Sequence, residues 1–185
     1  MLAYLFVLLA IAVRLLPFAG RLNILPHAWH FTPLAASLLF FGARGSRRHM
    51  WIPVALLAAT DVVLSRFIWQ YPLSWDLLVT WAWYAAIVWL GTSLRGKAGF
   101  WRIVGAAACS SVSFFVVSNF AVWAAWDMYP KTFSGLVACY AAGLPFFRGT
   151  AVGDLFFSLA MFGTPVLVNV LAERRQRSGN NTAPA

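Results

Sequence analysis

Asp61 is the residue whose type and position point most directly to chemistry. It lies 11 residues after Met50 in the apolar stretch Met50–Ile68, which is roughly 16 Å along a helix. A carboxylate at that depth in hydrocarbon must pair with a cation, take up a proton or line a wet cavity. Asp61 is therefore predicted to contact a ligand or a cation. The alternative is a structural ion pair with Arg14 or Arg66.

Asn119 and Arg14 are two further polar residues within apolar stretches. Asn119 falls in the outer half of Phe100–Trp126, where a buried amide either recognises a polar ligand or joins two helices by hydrogen bonds. Arg14 falls in the outer half of Leu2–Phe18. There it would hold an anionic ligand group, pair with Asp61 or extend outward to water.

Aromatic residues follow Asn119, and an aspartate lies at the start of the last apolar stretch. Trp123, Trp126 and Tyr129 would either stack on a planar ligand or form an aromatic belt at the membrane surface. Asp154 would either line the binding site or stabilise the N-terminus of the last helix, as we also expect of Asp76 at the start of its own stretch.

The segment Ala19–His30 contains two histidines three residues apart, His27 and His30. This spacing is a weak indication of a metal site, because no carboxylate or cysteine accompanies it locally. We predict instead a loop that folds over a cavity, with His30 and the nearby Thr32 among the substrate-binding residues.

Composition indicates which elements must position these side chains. The chain of 185 residues is 62% hydrophobic and only 10% charged, which is far from a soluble domain and suits one bundle of about six transmembrane helices. The predicted spans are Leu2–Phe18, Phe31–Ala43, Met50–Ile68, Asp76–Leu94, Phe100–Trp126 and Thr150–Leu171.

The apolar segment Phe133–Phe147 is too short for an ordinary span and carries Gly143 and Pro145 near its end. A segment of that length is typical of a re-entrant or interfacial element, so we predict an outer cap before the last helix. The sequence thus predicts one all-helical membrane domain over residues 1–172, followed by a basic and then disordered cytoplasmic tail over residues 173–185.

Charge sets the predicted orientation. The four aspartates fall at one end of the apolar stretches, and the basic clusters fall mostly at the other ends. Basic loops remain in the cytoplasm, so we expect a multi-pass protein of the inner (plasma) membrane with both termini cytoplasmic. The net charge of +9 does not indicate a nucleic-acid partner, because the basic residues lie in short loops and form no groove-lining patch. The basic clusters are Arg44, Arg47 and Arg48; Arg95, Lys97 and Arg102; and Arg174, Arg175 and Arg177.

Recognisable catalytic signatures are absent from the sequence. It contains no G-x-S-x-G, no H-E-x-x-H and no phosphate-binding loop. We therefore predict neither an enzyme nor a bound cofactor, and any active pumping would need a partner ATPase or a gradient.

A series of short motifs resembles a family of small, uncharacterised bacterial integral membrane proteins described as transport proteins. The motifs span Pro26–Gly163 and are Phe31–Ala36, Leu39–Gly42, Thr60–Leu64, Phe114–Trp123, Tyr129–Pro130, Leu144–Phe147 and Gly153–Gly163. That family is in turn similar to the substrate-binding S components of energy-coupling-factor vitamin transporters. The resemblance implies about six helices, a binding cavity at the outer side, a first outer loop that acts as a lid, and an energising ATPase partner for some members.

The resulting hypothesis is an uptake protein for a vitamin-like or other small polar solute. The solute would enter a cavity between Asp61, Asn119 and Arg14, closed by the loop Ala19–His30 and the cap Phe133–Phe147. The first alternative is a structural or assembly protein whose polar residues only join helices. The second is a membrane-embedded enzyme that uses Asp61 and a histidine.

Overall fold

A computed structural model describes residues 1–19 and 32–180, with side chains over residues 1–15 and 32–174. The described residues form helices and contain no strand. This confirms an all-helical chain of about six helices. The helices are α1 (Leu2–Ala19), α2 (Leu34–Arg44), α3 (Trp51–Val63), α4 (Asp76–Thr92), α5 (Phe100–Ala125) and α6 (Phe133–Asn180).

Three helical segments among the described residues are long and apolar enough to cross a membrane. They are Arg47–Ile68, Phe100–Ala125 and Phe133–Arg174. The first comprises a short 3₁₀ turn at Arg47–His49, α3 and a π-helical turn at Leu64–Ile68. Three shorter apolar helical stretches are Leu2–Leu15, Leu34–Arg44 and Asp76–Thr92.

The short helix α2 lies at the centre of the bundle, in contact with α1, α4, α5 and α6. Every residue from Ala35 to Ala43 is buried, which is expected of a helix that is apolar on all sides. Its contact with α4 is close at Gly42 and Gly91. A Cβ atom on Gly42 would lie 2.0 Å from the carbonyl oxygen of Val88. Glycine at this crossing therefore allows the two backbones to touch.

The loops between helices place the first two basic clusters at one end of the bundle, which we call the basic end. Arg95, after α4, donates from Nε to the carbonyl oxygen of Gly42 at 2.7 Å and from Nη2 to that of Gly45 at 3.0 Å. A guanidinium at the C-terminus of α2 satisfies carbonyl groups that the helix leaves open. Helix α6 runs antiparallel to α5, so its C-terminal part, with Arg174, extends toward the same end.

The opposite end, which we call the acidic end, is where α3 and α5 finish and α4 and α6 begin. Asp76 lies in the first turn of α4, as predicted, and Asp127 lies in the turn between α5 and α6.

The prediction of a separate cap at Phe133–Phe147 is wrong. These residues form the first part of α6, which continues through Pro145 and Pro165 to Asn180. Gly143 lies within this helix and packs closely against α5, since a Cβ atom there would lie 2.5 Å from Oδ1 of Asn119. The sixth predicted span is thus the middle of one long helix. At 48 residues, α6 is about 72 Å long, more than twice the hydrocarbon thickness of a bilayer.

The last part of α6 lies beyond the contact of Phe162 with Phe40, whose ring centroids are 5.1 Å apart. Val166, Leu167 and Val168 are exposed there. The helix continues to Asn180, so the first part of the tail predicted over residues 173–185 falls within α6. Residues 181–185 lie outside the described residues.

Candidate functional site

Asp61 forms an ion pair with Arg14, which joins α3 to α1. The side chain of Asp61 is 4% exposed and that of Arg14 is 19% exposed. The structure thus selects Arg14 over Arg66 as the partner of Asp61, and Arg66 itself is exposed. Two charges that leave water together need good geometry and further hydrogen bonds to offset their desolvation.

Those further hydrogen bonds come from two aromatic residues of α4. The indole Nε1 of Trp81 donates to Oδ2 of Asp61 at 3.0 Å. The hydroxyl of Tyr84 donates to Oδ1 of Asp61 at 3.4 Å and accepts from Nη1 of Arg14 at 3.3 Å. Trp81 and Tyr84 are three residues apart, so they share one helix face. The four side chains Arg14, Asp61, Trp81 and Tyr84 therefore connect three helices, and we call them the ion-pair cluster.

Asn119 lies against α6 and not in the ion-pair cluster. Its Nδ2 donates to the carbonyl oxygen of Phe115 at 2.8 Å, within α5, and its side chain faces Gly143. Its own carbonyl oxygen accepts from Sγ of Cys139 at 3.4 Å. The described hydrogen bond of the amide thus stays within α5, and its contact with α6 is one of packing against Gly143.

Asp154 is buried in the middle of α6, at 3% exposure. Its Oδ2 accepts a hydrogen bond from the hydroxyl of Ser111 on α5 at 2.6 Å. The prediction that Asp154 stabilises a helix N-terminus is wrong, because α6 begins at Phe133, more than five turns earlier. Neither of the two ion pairs among the described residues includes Asp154.

Trp123 lies in the last turn of α5, and Tyr129 lies in the turn between α5 and α6. The Trp123 indole donates to the carbonyl oxygen of Pro130 at 2.9 Å, and the Lys131 ammonium lies 5.9 Å from the centre of the Trp123 ring. Tyr129 is partly buried. Lys131 also donates to the carbonyl oxygens of Trp123 and Trp126, so these contacts close the C-terminus of α5.

Two predicted site residues precede α2. Thr32 is partly buried and lies two residues before the start of α2. His30 and most of the predicted lid lie outside the described residues. The described histidine, His49, is at the basic end, where its Nδ1 is 2.6 Å from the hydroxyl oxygen of Tyr4.

A cleft of about 690 Å³ opens at the acidic end, within the usual range of small-molecule sites. It lies between the end of α3, the start of α4 and the end of α5, and its lining is mostly apolar. None of Asp61, Asn119 and Arg14 lines this cleft. The residues that line the cleft are Ser65, Trp69, Tyr71, Pro72, Asp76, Leu77, Val122, Trp126 and Met128.

The cleft and the ion-pair cluster are neighbours along two helices. Ser65 follows Asp61 by four residues, and Leu77 precedes Trp81 by four. Four residues are about one helical turn, or roughly 6 Å. The inner end of the cleft therefore lies about one turn from the carboxylate of Asp61.

The backbone that forms one wall of the cleft is irregular. Leu64–Ile68 is a π-helical turn, and Gln70 has a φ of 54°, which is uncommon for a residue other than glycine. π-Helical turns and left-handed residues occur preferentially at functional sites. Here they direct Ser65, Trp69 and Tyr71 toward one space.

Asp76 is the only charged residue among the described residues that line the cleft. Its Oδ2 accepts from the Trp126 indole at 3.3 Å, whereas its buried Oδ1 has no hydrogen-bond partner among the described residues. A helix N-terminus stabilises a carboxylate by about 0.3–1 kcal/mol. A buried acceptor without a partner costs about 1–3 kcal/mol or more. The helix terminus alone therefore does not account for the position of Asp76.

The sequence profile of one family matches residues 1–177. The chain belongs to DUF6580, a family of unknown function. Searches of curated proteins and of solved structures each gave no match.

For this member of DUF6580, the structure adds residues that the sequence analysis did not include in the site. Trp81 and Tyr84 were not singled out, and Asp76 was expected only to stabilise the start of its helix. The sequence did contain an indication of the cleft. It has an aspartate at a helix start, beside a turn that is rich in tryptophan and tyrosine. The position of Trp126 opposite Asp76 depends on how α4 and α5 pack together, which a single sequence does not reveal.

Proposed function

We propose that this chain is a multi-pass inner-membrane protein that binds a small solute at its acidic end and carries it across the membrane. In this proposal the basic end and both termini are cytoplasmic, because basic loops remain in the cytoplasm. The acidic end then faces outward and presents the cleft to solutes from outside. This is the arrangement expected of an uptake protein similar to the S components.

One observation carries the proposal: the cleft lies about one helical turn from a buried ion pair that joins α1 to α3. Shared hydrogen bonds hold an intact buried ion pair in place. Separation of its two charges costs several kcal/mol. A solute that moved inward past Ser65 and Leu77 would reach Trp81, which donates to Asp61. Solute entry would therefore act on the contact between two helices, as alternating access requires.

The composition of the cleft supports binding of a small molecule. Its lining is mostly apolar and aromatic, with few polar groups, which is the usual make-up of such sites. The proposal includes no catalytic step. Solute movement would be driven by a gradient or by a partner ATPase.

The competing function is that of a structural or assembly protein of the membrane. It is favoured by the internal contacts of Asp61 and Asn119, since each of these side chains bonds to another part of the bundle or to its own helix. Under that alternative the cleft would be empty in the working protein, and a stable protein partner would accompany the chain.

Native mass spectrometry of protein purified in mild detergent distinguishes the two functions. The wild type is compared with Leu77→Trp, which fills the cleft, and with Leu78→Trp. Leu78 is 61% exposed and lies outside the cleft lining, so it controls for the added indole. We expect a stoichiometric small-molecule adduct in the wild type and in Leu78→Trp, and its loss in Leu77→Trp.

The identified solute is then offered to vesicles that contain the purified protein. Saturable uptake that Leu77→Trp abolishes and Leu78→Trp retains would support the transport function. An adduct that Leu77→Trp still holds would place the solute elsewhere in the protein. A wild type that carries no adduct and takes up no component of a cell extract, but retains a protein partner, would favour the assembly function.

A further inference from the structure

The cleft at the acidic end has the chemistry of a cation site. Three aromatic residues line it, namely Trp69, Tyr71 and Trp126. The rings of Tyr71 and Trp126 are 6.2 Å apart between centroids and are tilted by 58° to each other. Aromatic faces carry negative electrostatic potential and attract cations, most strongly where water is excluded.

The one charged side chain among the lining residues is acidic. Asp76 is an acid with no ion-pair partner among the described residues, and no lysine, arginine or histidine lines the cleft. An anionic solute would therefore meet a carboxylate with no compensating cation. A neutral solute would gain nothing from that charge.

Among the described basic residues, Arg66 follows Ser65 in the π-helical turn, but it is exposed and does not line the cleft. The clusters around Arg47 and Arg95 lie at the opposite end of the bundle. Lys131, in the adjoining turn, donates to carbonyl oxygens at the end of α5 and lies 3.8 Å from a carboxylate oxygen of Asp127. Its ammonium is thus already bound outside the cleft lining.

Few groups in the cleft can accept hydrogen bonds. Besides Asp76, the polar side chains among the lining residues are the hydroxyls of Ser65 and Tyr71 and the indoles, which only donate. A primary ammonium would lose more hydrogen bonds to water than this lining replaces. A quaternary ammonium has no N–H groups to satisfy and suits an aromatic site.

We propose that the cleft binds a quaternary ammonium group, held by the ring faces of Tyr71 and Trp126 and by the charge of Asp76. This inference rests on the proposed function, since it names the substrate class for the same cleft. The Trp126 indole, by donating to Asp76, keeps the ring and the carboxylate on the same side of the bound cation.

The test measures binding of choline and of its neutral isostere 3,3-dimethylbutan-1-ol by titration calorimetry on the full chain in lipid nanodiscs. Tetramethylammonium and benzyltrimethylammonium are measured beside them, so that the size of the cation is varied. We expect at least one cation to bind saturably and the neutral isostere to bind about tenfold more weakly or not at all.

Two variants and one matched control locate the effect. Asp76→Asn keeps an acceptor for the Trp126 indole and removes the charge, so the affinity for the cation should fall roughly tenfold or more. Tyr71→Leu removes one ring of an exposed loop residue and should also weaken binding. Asp127→Asn removes the same charge from a fully exposed neighbour and should leave the affinity unchanged.

The inference fails if none of the cations binds to the wild type, if the neutral isostere binds equally well, or if Asp76→Asn and Asp127→Asn have equal effects. The proposed function is judged separately by the adduct found in native mass spectrometry. A neutral or anionic adduct that depends on Leu77 would overturn the quaternary ammonium site and leave solute binding in place. Absence of both an adduct and cation binding would contradict both proposals.

Discussion

Arg14 and Asp61, which are 47 positions apart in the sequence, meet as an ion pair between α1 and α3. Trp81 and Tyr84 of α4 donate to the same carboxylate. The pair is thus enclosed by a third helix and lies about one turn from the cleft. Any movement that separates α1 from α3 must first break this cluster.

Removal of one charge from this pair should cost more stability than removal of both. Asp61→Asn leaves the guanidinium of Arg14 without its partner, and Arg14→Gln leaves the carboxylate. We expect each single variant to lower the free energy of unfolding by about 3 kcal/mol. The double variant should lose less stability than either single variant, and therefore far less than the sum of the two single losses. Unfolding midpoints of the four proteins in one detergent measure this coupling.

The exposed pair between Asp127 and Lys131 is the matched control. The Asp127 side chain is fully exposed, and such pairs contribute little. Asp127→Asn should therefore leave the unfolding midpoint unchanged. Additive losses in the buried double variant would show that Arg14 and Asp61 do not depend on each other.

Gly42 offers a test of the close contact between α2 and α4. In Gly42→Ala the new methyl group would meet the backbone oxygen of Val88 at 2.0 Å, and backbone atoms cannot rotate away as a flexible side chain can. The two helices must separate, at an expected cost of about 1–3 kcal/mol. The midpoint of thermal unfolding in detergent reports this loss.

Gly105→Ala is the corresponding control on α5, because a Cβ atom there meets nothing within 4 Å. Alanine is favoured over glycine inside a helix by up to about 1 kcal/mol, so this variant should be neutral or slightly more stable. Equal losses at Gly42 and Gly105 would mean that the contact of α2 with α4 is not close.

Arg95 should matter for the shape of its side chain as well as for its charge. Its guanidinium donates to the carbonyl oxygens of Gly42 and Gly45 at once, which a lysine ammonium cannot reproduce with the same fork geometry. We expect Arg95→Lys to cost about 1–2 kcal/mol. Lys97→Arg, in the same turn, should have no effect on the unfolding midpoint. A loss confined to Arg95→Ala, with none in Arg95→Lys, would show that charge alone suffices.

The sequence was most informative about the helices and their directions. Hydropathy and basic loops predicted five of the helices closely, as in the start of α4 at Asp76 and of α5 at Phe100. The prediction from sequence failed at Phe133–Phe147, because glycine and proline near the end of a short apolar segment resemble the end of a helix. In the structure Gly143 packs against the side chain of Asn119 on the neighbouring helix, which is a property of packing.

The site was only partly predictable for a related reason. Asp61 and Arg14 are expensive in an apolar environment, so their types alone indicated that each needs a partner, and a pair between them was one of the alternatives. Asn119 is equally conspicuous in sequence, yet its contacts are with α6 and with its own helix. Which face of α5 turns toward which neighbour depends on side-chain packing between helices. That packing is also what brings Trp126 to Asp76.

Asp154 should respond to the same substitution in the opposite way to Asp61. It is as deeply buried, but its defined partner is the hydroxyl of Ser111, and neither ion pair among the described residues includes it. An isolated carboxylate in such a place costs free energy when charged. Asn keeps the size of the side chain and an acceptor for Ser111, and it introduces no charge. We expect Asp154→Asn to keep the free energy of unfolding within about 1 kcal/mol of the wild type or to raise it.

Leu replaces the polar group altogether, and it separates hydrogen bonding from charge at this position. In Asp154→Leu the hydroxyl of Ser111 retains the carbonyl oxygen of Ala107 as an acceptor at 3.1 Å, so a loss of no more than about 1–2 kcal/mol is expected. Unfolding in one detergent at one pH compares Asp154→Asn, Asp154→Leu and Asp61→Asn directly. If Asp154→Asn proved as damaging as Asp61→Asn, the charged form of Asp154 would be required for stability. A cation would then have to be bound beside Ser111.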